Sequence, residues 1–441
     1  MRFAICDLRF AVLAVTALVL MLGNGSAQST NSTYPIDLLT VLRLSGAQNL
    51  NIQIARERLA EARANYGSAV SQFFPTLSPG ITYRRHDDNI QDVAGNIFEV
   101  HKQSYAPGAT IGAQVDLGEA IYKQLAAKQL VRAADHAIEA QRQESTATAA
   151  QLYFDLLAAQ TAIGVAAEAV NISSNYEAQV EQAVGVGLAF KGEQLRVRVQ
   201  TERNQLTLRR ATEERRNAAT KLAQSLHLDP AIDLLSRDAD LVPVTLLKTN
   251  LGSLMQLAID SRPELKQSSA LIASAREAKK GATYGPFVPS LGAQAFFGGL
   301  GGGKDNEWGN FDHQQDYVAG VSWRIGPGGL FDFNRQRAAR ARLNVAQLTG
   351  EKLRDEITRQ VVDASTRADS LNDQLATARR AMTAAEQTLQ LTQQRREFGV
   401  GVVLEAIQAE QELTRTRLDY LKSIAEFNKA QYALLRATGK L

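Results

Sequence analysis

The sequence predicts a mostly α-helical fold with a β-barrel part, built as an internal duplication. Three observations carry this. First, Phe73-x-Pro75-x-Leu77 returns as Phe287-x-Pro289-x-Leu291 about 210 residues later, too long a period for a solenoid and the mark of a duplicated domain-sized unit. The apolar seam Leu152, Leu156, Ala159, Ile163, Ala166, Val170 returns with the same 4-3-4-3-4 spacing as Ala364, Ala368, Leu371, Leu375, Ala378, Met382. Second, no proline lies between Pro107 and Pro230 or after Pro327, which leaves two long tracts free to be helical. Third, four segments of about nine to eleven residues alternate apolar with small or polar side chains at a period of two, the pattern of a tilted strand crossing a bilayer.

The elements follow in chain order. Residues 1–27 read as a secretory leader, with basic Arg2 and Arg9, an apolar run over 10–22 and small Gly25-Ser26-Ala27 before Gln28. The run is too short for the roughly 30 Å of a bilayer core, so cleavage is expected rather than anchoring. Cys6, the one cysteine, leaves with it, so the mature chain is expected to have neither thiol chemistry nor a cysteine that carries lipid. No later segment reads as a transmembrane helix, and entry into a membrane then requires a closed β-barrel.

Residues 28–226 form the first structural repeat. A helix over 37–66 places Leu38, Val41, Leu42, Ile52 and Leu59 on its apolar positions. Strands are expected over 77–85 and 109–117, where Leu77, Pro79, Ile81 and Tyr83 and then Ala109, Ile111, Ala113 and Val115 are the apolar alternates. Helices over about 122–184 and 193–226 are rich in the strong helix formers Ala, Leu, Gln, Glu and Arg. A mixed connector spans 227–252, with Pro230 and Pro243. Residues 253–441 repeat the plan: a helix over 253–280 with a helix-start signal at Ser261-Arg262-Pro263-Glu264, strands over 291–297 and 317–325, and helices over 333–397 and 405–437. Segments 85–104 and 298–316 are polar and glycine-rich and read as loops. The longest helices reach on the order of 90 to 100 Å, and an alanine-rich seam lets them pack closely as a coiled coil.

Two hairpins in one chain fit a half-buried sheet on a soluble domain as well as a membrane sheet. Four strands alone leave edges that lipid cannot satisfy. Three chains would supply twelve strands, an even number within the range of such barrels, and the long helices would continue the cylinder.

Several local matches in fixed order resemble the outer-membrane efflux protein family, the TolC-like trimeric channels. They are the Pro-x-Leu strand starts, Ser261-Arg262-Pro263-Glu264-Leu265, Leu330-Phe331-Asp332, and the ending Asn428-x-Ala430-x3-Leu434-Leu435-x-Ala437-x-Gly439. The hairpin tips match best: Val186-Gly187-Leu188 followed by Glu193-x-Leu195, and Phe398-Gly399-Val400 followed by Glu405-x-Ile407-x-Ala409. The resemblance covers nearly the whole mature chain. It implies a homotrimer whose barrel sits in outer-membrane lipid and whose helices form a periplasmic tunnel. A periplasmic adaptor (membrane fusion) protein would contact the tips Val186, Gly187, Leu188, Phe398, Gly399 and Val400, and an inner-membrane pump would supply energy. It also implies a gate at Glu405, with Gln408 one turn further on. Glu stands where the family has Asp at both tips, and Gln408 where some members carry a second acid. From the residues alone, the glycines serve turn-making as well as docking, and Glu405 is a solvated helix-start residue.

Composition excludes other classes. With 49 basic and 46 acidic residues the net charge is only +3, too small to point to nucleic acid. Gly298-x4-Gly303-Lys304 lacks the Ser or Thr of a phosphate-binding loop. The five histidines share no ligand spacing, a metal site across Asp87, Asp88 and His101 has no supporting pattern, and no nucleophile–base arrangement appears. No catalytic, cofactor or metal site is expected, and the chain is not expected to be an enzyme. The expected function is the exit duct of a tripartite efflux pump for small molecules such as drugs. The alternatives are the exit duct of a type I protein secretion system and a periplasmic coiled-coil scaffold without a pore.

Overall fold

The structure, a computed structural model, describes residues 33–238, 240–244, 250–305, 307–398 and 402–441; the leader assigned to 1–27 lies outside them. The first half contains β1 (Thr33–Ile36), α1 (Leu38–Gln48), α2 (Leu50–Ser71), β2 (Thr76–His86), the short hairpin β3 (Asn89–Gln91) and β4 (Ile97–Glu99), β5 (Lys102–Asp116), α3 (Leu117–Gly185) and α4 (Lys191–Ser225). The second contains β6 (Asp233–Ser236), α5 (Leu251–Ser261), α6 (Pro263–Tyr284), β7 (Ser290–Lys304), β8 (Asp312–Ser322), α7 (Phe333–Glu397) and α8 (Val403–Thr438).

Local chemistry sets the breaks. Asn49 ends α1 and caps α2, its Oδ1 accepting from Asn51 N–H at 2.9 Å while its amide donates to Ser225 O at 2.9 Å. Pro263 occupies the first turn of α6, where a missing N–H costs nothing. Asp332 starts α7: its carboxylate accepts from Arg335 N–H at 2.9 Å and Gly328 N–H at 2.8 Å. α3 has 69 residues and α7 has 65, so each extends about 100 Å.

Among the described residues the helices close on four cores along their length, one of them Ala385, Leu389, Ala409 and Leu413 between α7 and α8. At mid-height Tyr153, Leu156 and Leu157 of α3 meet Val41, Leu222 and Leu234, and β1 pairs in parallel with β6. Leu254, Ile357, Val361, Phe427 and Leu434 form a second core. Tyr176, Val180, Val197 and Ile407 form a third near the hairpin ends. Part of α3 is apolar enough in composition to pass for a membrane span, which the sequence reading did not anticipate. Its buried alanines, Ala147, Ala149, Ala150, Ala166 and Ala169, serve close packing between helices.

β2, β5, β7 and β8 form one antiparallel sheet in that order, with β2 and β8 as free edges. Register places all the apolar alternates on one face. Leu77 lies beside Ile111, Ile111 beside Ala295, and Ala295 beside Tyr317; Val115, Leu291 and Val321 form another row. The opposite face carries Thr110, Gln114, Asp116, Ser290 and Gln294. From Tyr105 to Val115, β5 covers about 33 Å, or about 25 Å at the usual barrel tilt, the height of a lipid-facing band. Aromatic residues stand at both ends. Tyr83 stacks on Trp308 at 5.7 Å and Tyr105 on Phe311 at 5.9 Å at the far end. Tyr284, Phe287, Trp323, Phe331 and Phe333 are exposed at the helix end. Such girdles mark the two membrane–water boundaries.

Several bounds differ from expectation. β5 begins at Lys102, β7 runs through Lys304 and β8 begins at Asp312, so the segments read as loops are partly strand. The run Gly298–Gly303 is strand through its pairing with β5, and aromatic rings leave no room for side chains on it: a Cβ at Gly299 would lie 2.2 Å from the Phe311 ring, and one at Gly301 2.5 Å from the Tyr105 ring. Trp323 and Ile325 fall beyond β8; Trp323 Nε1–H donates to Phe287 O at 3.3 Å instead. α3 starts at Leu117, directly from the strand, rather than near 122.

Candidate functional site

The two helical hairpins end together, and the chain chemistry at each end makes the turn. In the first, Leu188 N–H donates to Ala183 O at 2.8 Å and Gly187 N–H to Val184 O at 3.1 Å. These bonds cap α3 with Gly187 at φ +79°, a left-handed conformation that glycine adopts without strain. Glu193 opens α4, its carboxylate accepting from Phe190 N–H at 3.3 Å. Val186 and Leu188 are 72% and 84% exposed. In the second hairpin Phe398, 82% exposed, donates to Gln394 O at 3.2 Å. Gly399 and Val400, also expected at this tip, lie outside the described residues. The third core, which takes in Val184 and Val403, joins the hairpins just behind the tips.

The structure places Glu405 and Gln408 against different neighbours. Glu405 Oε2 pairs with Arg395 Nη1 of α7 at 3.2 Å, with both groups partly exposed. Gln408 faces a groove of about 430 Å³ between α4 and α8, lined by the apolar Leu195, Val199, Leu404 and Ile407 and by Arg196, Gln200, Arg203 and Gln411. Asp87, in the loop considered for a metal, pairs with Arg85 at 2.8 Å and His101 at 3.1 Å.

A buried polar node escaped the sequence reading. Glu410 of α8 is 3% exposed. Its Oε1 accepts from Asn204 Nδ2 of α4 at 2.8 Å, and the same amide reaches Ser173 Oγ at 3.0 Å and Ala169 O at 3.1 Å of α3. Gln200 and Gln411 extend the network. The signal was an acid among the apolar positions Ala406, Ile407 and Leu413 at helical spacing. Burial pushes the Glu410 carboxyl up to about 7 from 4.5, against the smaller pull of the Asn204 amide. The folded state therefore holds this proton more tightly than the unfolded chain. Its stabilising contribution is complete below about pH 4.5 and is lost as pH rises through about 7, on the order of 3 kcal/mol per chain. Glu410→Gln keeps an acceptor for Asn204 and removes the titration. The drop in thermal midpoint between pH 5 and pH 8 should be several degrees larger in the wild type than in this variant. An equal drop in both would show that Glu410 does not titrate in this range.

Ion pairs tie the hairpins together above that node. Arg417 of α8 reaches Glu168 of α3 at 2.7 Å and Glu386 of α7 at 3.3 Å, and Lys429 reaches Asp155 at 2.8 Å. Where α5 meets α6, the Arg262 guanidinium is buried. It donates to Arg436 O at 3.0 Å, Ala437 O at 3.3 Å, Gln360 Oε1 at 3.1 Å and Glu264 Oε2 at 3.0 Å.

A bilayer-high sheet with an apolar face, continuous with paired helices about 100 Å long, defines a subunit of a membrane-spanning channel and tunnel. The chain belongs to the outer membrane efflux protein family, whose profile matches residues 41–226 and 254–440. Solved structures share the fold. A membrane protein from Pseudomonas aeruginosa superposes with a TM-score of 0.78 at 20% identity, covering 91% of this chain and 93% of that one. The CmeC outer membrane channel of Campylobacter jejuni gives 0.76 at 15% identity, covering 91% and 85%. The open-state MtrE outer membrane channel of Neisseria gonorrhoeae gives 0.74 at 18% identity, covering 91% and 88%. No curated protein sequence gives a significant match. This protein is an outer-membrane efflux protein with the fold of outer-membrane channels, its helical tunnel in the periplasm.

Proposed function

We propose that three copies close a twelve-stranded barrel and serve as the exit duct of a tripartite pump that exports small molecules such as drugs. One observation carries this: among the described residues β2 and β8 are unpaired edges of a sheet whose apolar face stays exposed. Pairing β8 of one copy with β2 of the next leaves no edge in lipid. The polar face then lines the pore. The tip residues Val186, Gly187, Leu188, Phe398, Gly399 and Val400 receive a periplasmic adaptor, which links the duct to an inner-membrane pump. Repeated threefold, Glu405 and Gln408 form rings at the tunnel end, where three carboxylates attract cations.

Single-channel recording of the purified protein tests both the duct and the gate. A detergent-stable trimer with discrete conductance is expected, and a monodisperse water-soluble monomer would exclude the duct. Glu405→Ala removes three carboxylates and leaves Arg395 without its partner. Cation preference and block by multivalent cations should therefore both weaken. If neither changes in Glu405→Ala or in Glu405→Ala/Gln408→Ala, the constriction lies elsewhere.

A further inference from the structure

We propose that the groove between α6 and α7, next to the sheet, binds the phosphate headgroup of an anionic phospholipid in the periplasmic leaflet of the outer membrane. The groove measures about 500 Å³, and Arg276, Lys279, Lys280, Arg337 and Arg340 line it. Lys280 is held by Glu277 at 2.7 Å. Among the described residues no carboxylate pairs with the other four. Four cations gathered without acids repel one another, and an anion at the centre relieves that repulsion.

Depth identifies the anion. Tyr284, the last residue of α6, and Phe333, the first of α7, close the sheet-side end of the groove. Both are exposed and belong to the aromatic girdle at the helix end of the sheet. From Arg276 to Tyr284 the helix rises about 12 Å, so the cations sit immediately below the girdle, at the level of the headgroups. The rings offer apolar faces to the start of the acyl chains.

The groove also opens on the side of α6 away from its packed face. α6 meets α3 at Gly281, where a Cβ would lie 2.8 Å from Tyr122. It meets α7 at Ser268 and Ile272, each 3.0 Å from a Cβ placed on Gly350. On one side of α6 all three helices converge on a cavity of about 330 Å³ lined by Tyr122, Ala278 and Ala339. Convergence of three neighbours marks the packed side of α6. At about 100° per residue, Arg276, Lys280 and Tyr284 project from the opposite side of α6. Because α6 and α7 belong to one chain, the site is complete in each protomer.

The proposal rests on the sheet being inserted in the membrane, which conductance in bilayers of phosphatidylcholine alone tests separately. Full-length protein in neutral detergent is titrated with phosphatidylglycerol, phosphatidylcholine or inorganic phosphate while its unfolding midpoint is followed. Phosphatidylglycerol should raise the midpoint; the other two should not. Arg276→Gln/Lys279→Gln/Arg337→Gln/Arg340→Gln should abolish that response. Arg337→Gln/Arg340→Gln, a milder change, should weaken phosphatidylglycerol binding about fivefold per cation removed. An equal response to phosphatidylcholine or to inorganic phosphate, or undiminished phosphatidylglycerol binding in the double variant, overturns the proposal even where conductance is intact.

Discussion

Gly187→Arg and Gly399→Arg are each expected to abolish export while the trimer still forms and inserts. Gly187 lies at φ +79° in open space, with nothing within 4 Å of an added Cβ. The backbone cost of a non-glycine residue there is about 1–2 kcal/mol, too small to undo helices held by four cores. The guanidinium matters more. It would stand between Val186 and Leu188, and an adaptor docking on those side chains would desolvate a charge that has no partner. That costs several kcal/mol, on the order of a hundredfold or more in affinity. Gly187→Ala carries the same backbone strain without the charge and should retain export, which separates docking from turn formation. Gly399 is tested by sequence correspondence between the two tips. Substrate accumulation assays alongside trimer assays on membranes provide the measurement. Normal export in both arginine variants would refute the contact.

The second large effect is on assembly. Arg262→Ala should destabilise the folded protein by about 3–5 kcal/mol. The guanidinium joins three helices: it caps the C-terminal carbonyls of α8, binds Gln360 of α7 and pairs with Glu264 of α6. Burial and the nearby Arg436 push its pKa down, while Glu264 acts to raise it. Removing the side chain takes the Arg262 donor from the buried Ala437 carbonyl and leaves Arg436 O with only Gly439 N–H, at 3.1 Å, and Glu264 keeps Arg436, at 2.6 Å. Arg262→Lys should not rescue, because an ammonium lacks the planar fork that reaches four acceptors at once. The readout is the temperature at which the trimer dissociates and unfolds. Wild-type heat stability in Arg262→Ala would show that the network is dispensable.

The sequence by itself determined the features whose causes are local. α7 runs over the predicted residues 333–397 because its helix formers and its freedom from proline lie within the segment. The period of two put Leu77, Ile111, Leu291 and Val321 on one face, since alternation along a strand needs no knowledge of its neighbours. Ordered local matches from Ser261 to Gly439 were enough to resemble the family. Tertiary structure decided what depends on distant partners. The glycine run of β7 reads as a loop until β5 pairs with it and the rings of Tyr105 and Phe311 cross it. Glu410 reads as one more helical acid until Asn204, 206 positions away, closes over it and water is excluded. Glu405 and Gln408 look like neighbours on one helix, yet Arg395 draws one toward α7 while the other faces α4. Helix and strand periods follow from steric rules within a few residues; burial, pairing and pKa follow from what the fold brings alongside.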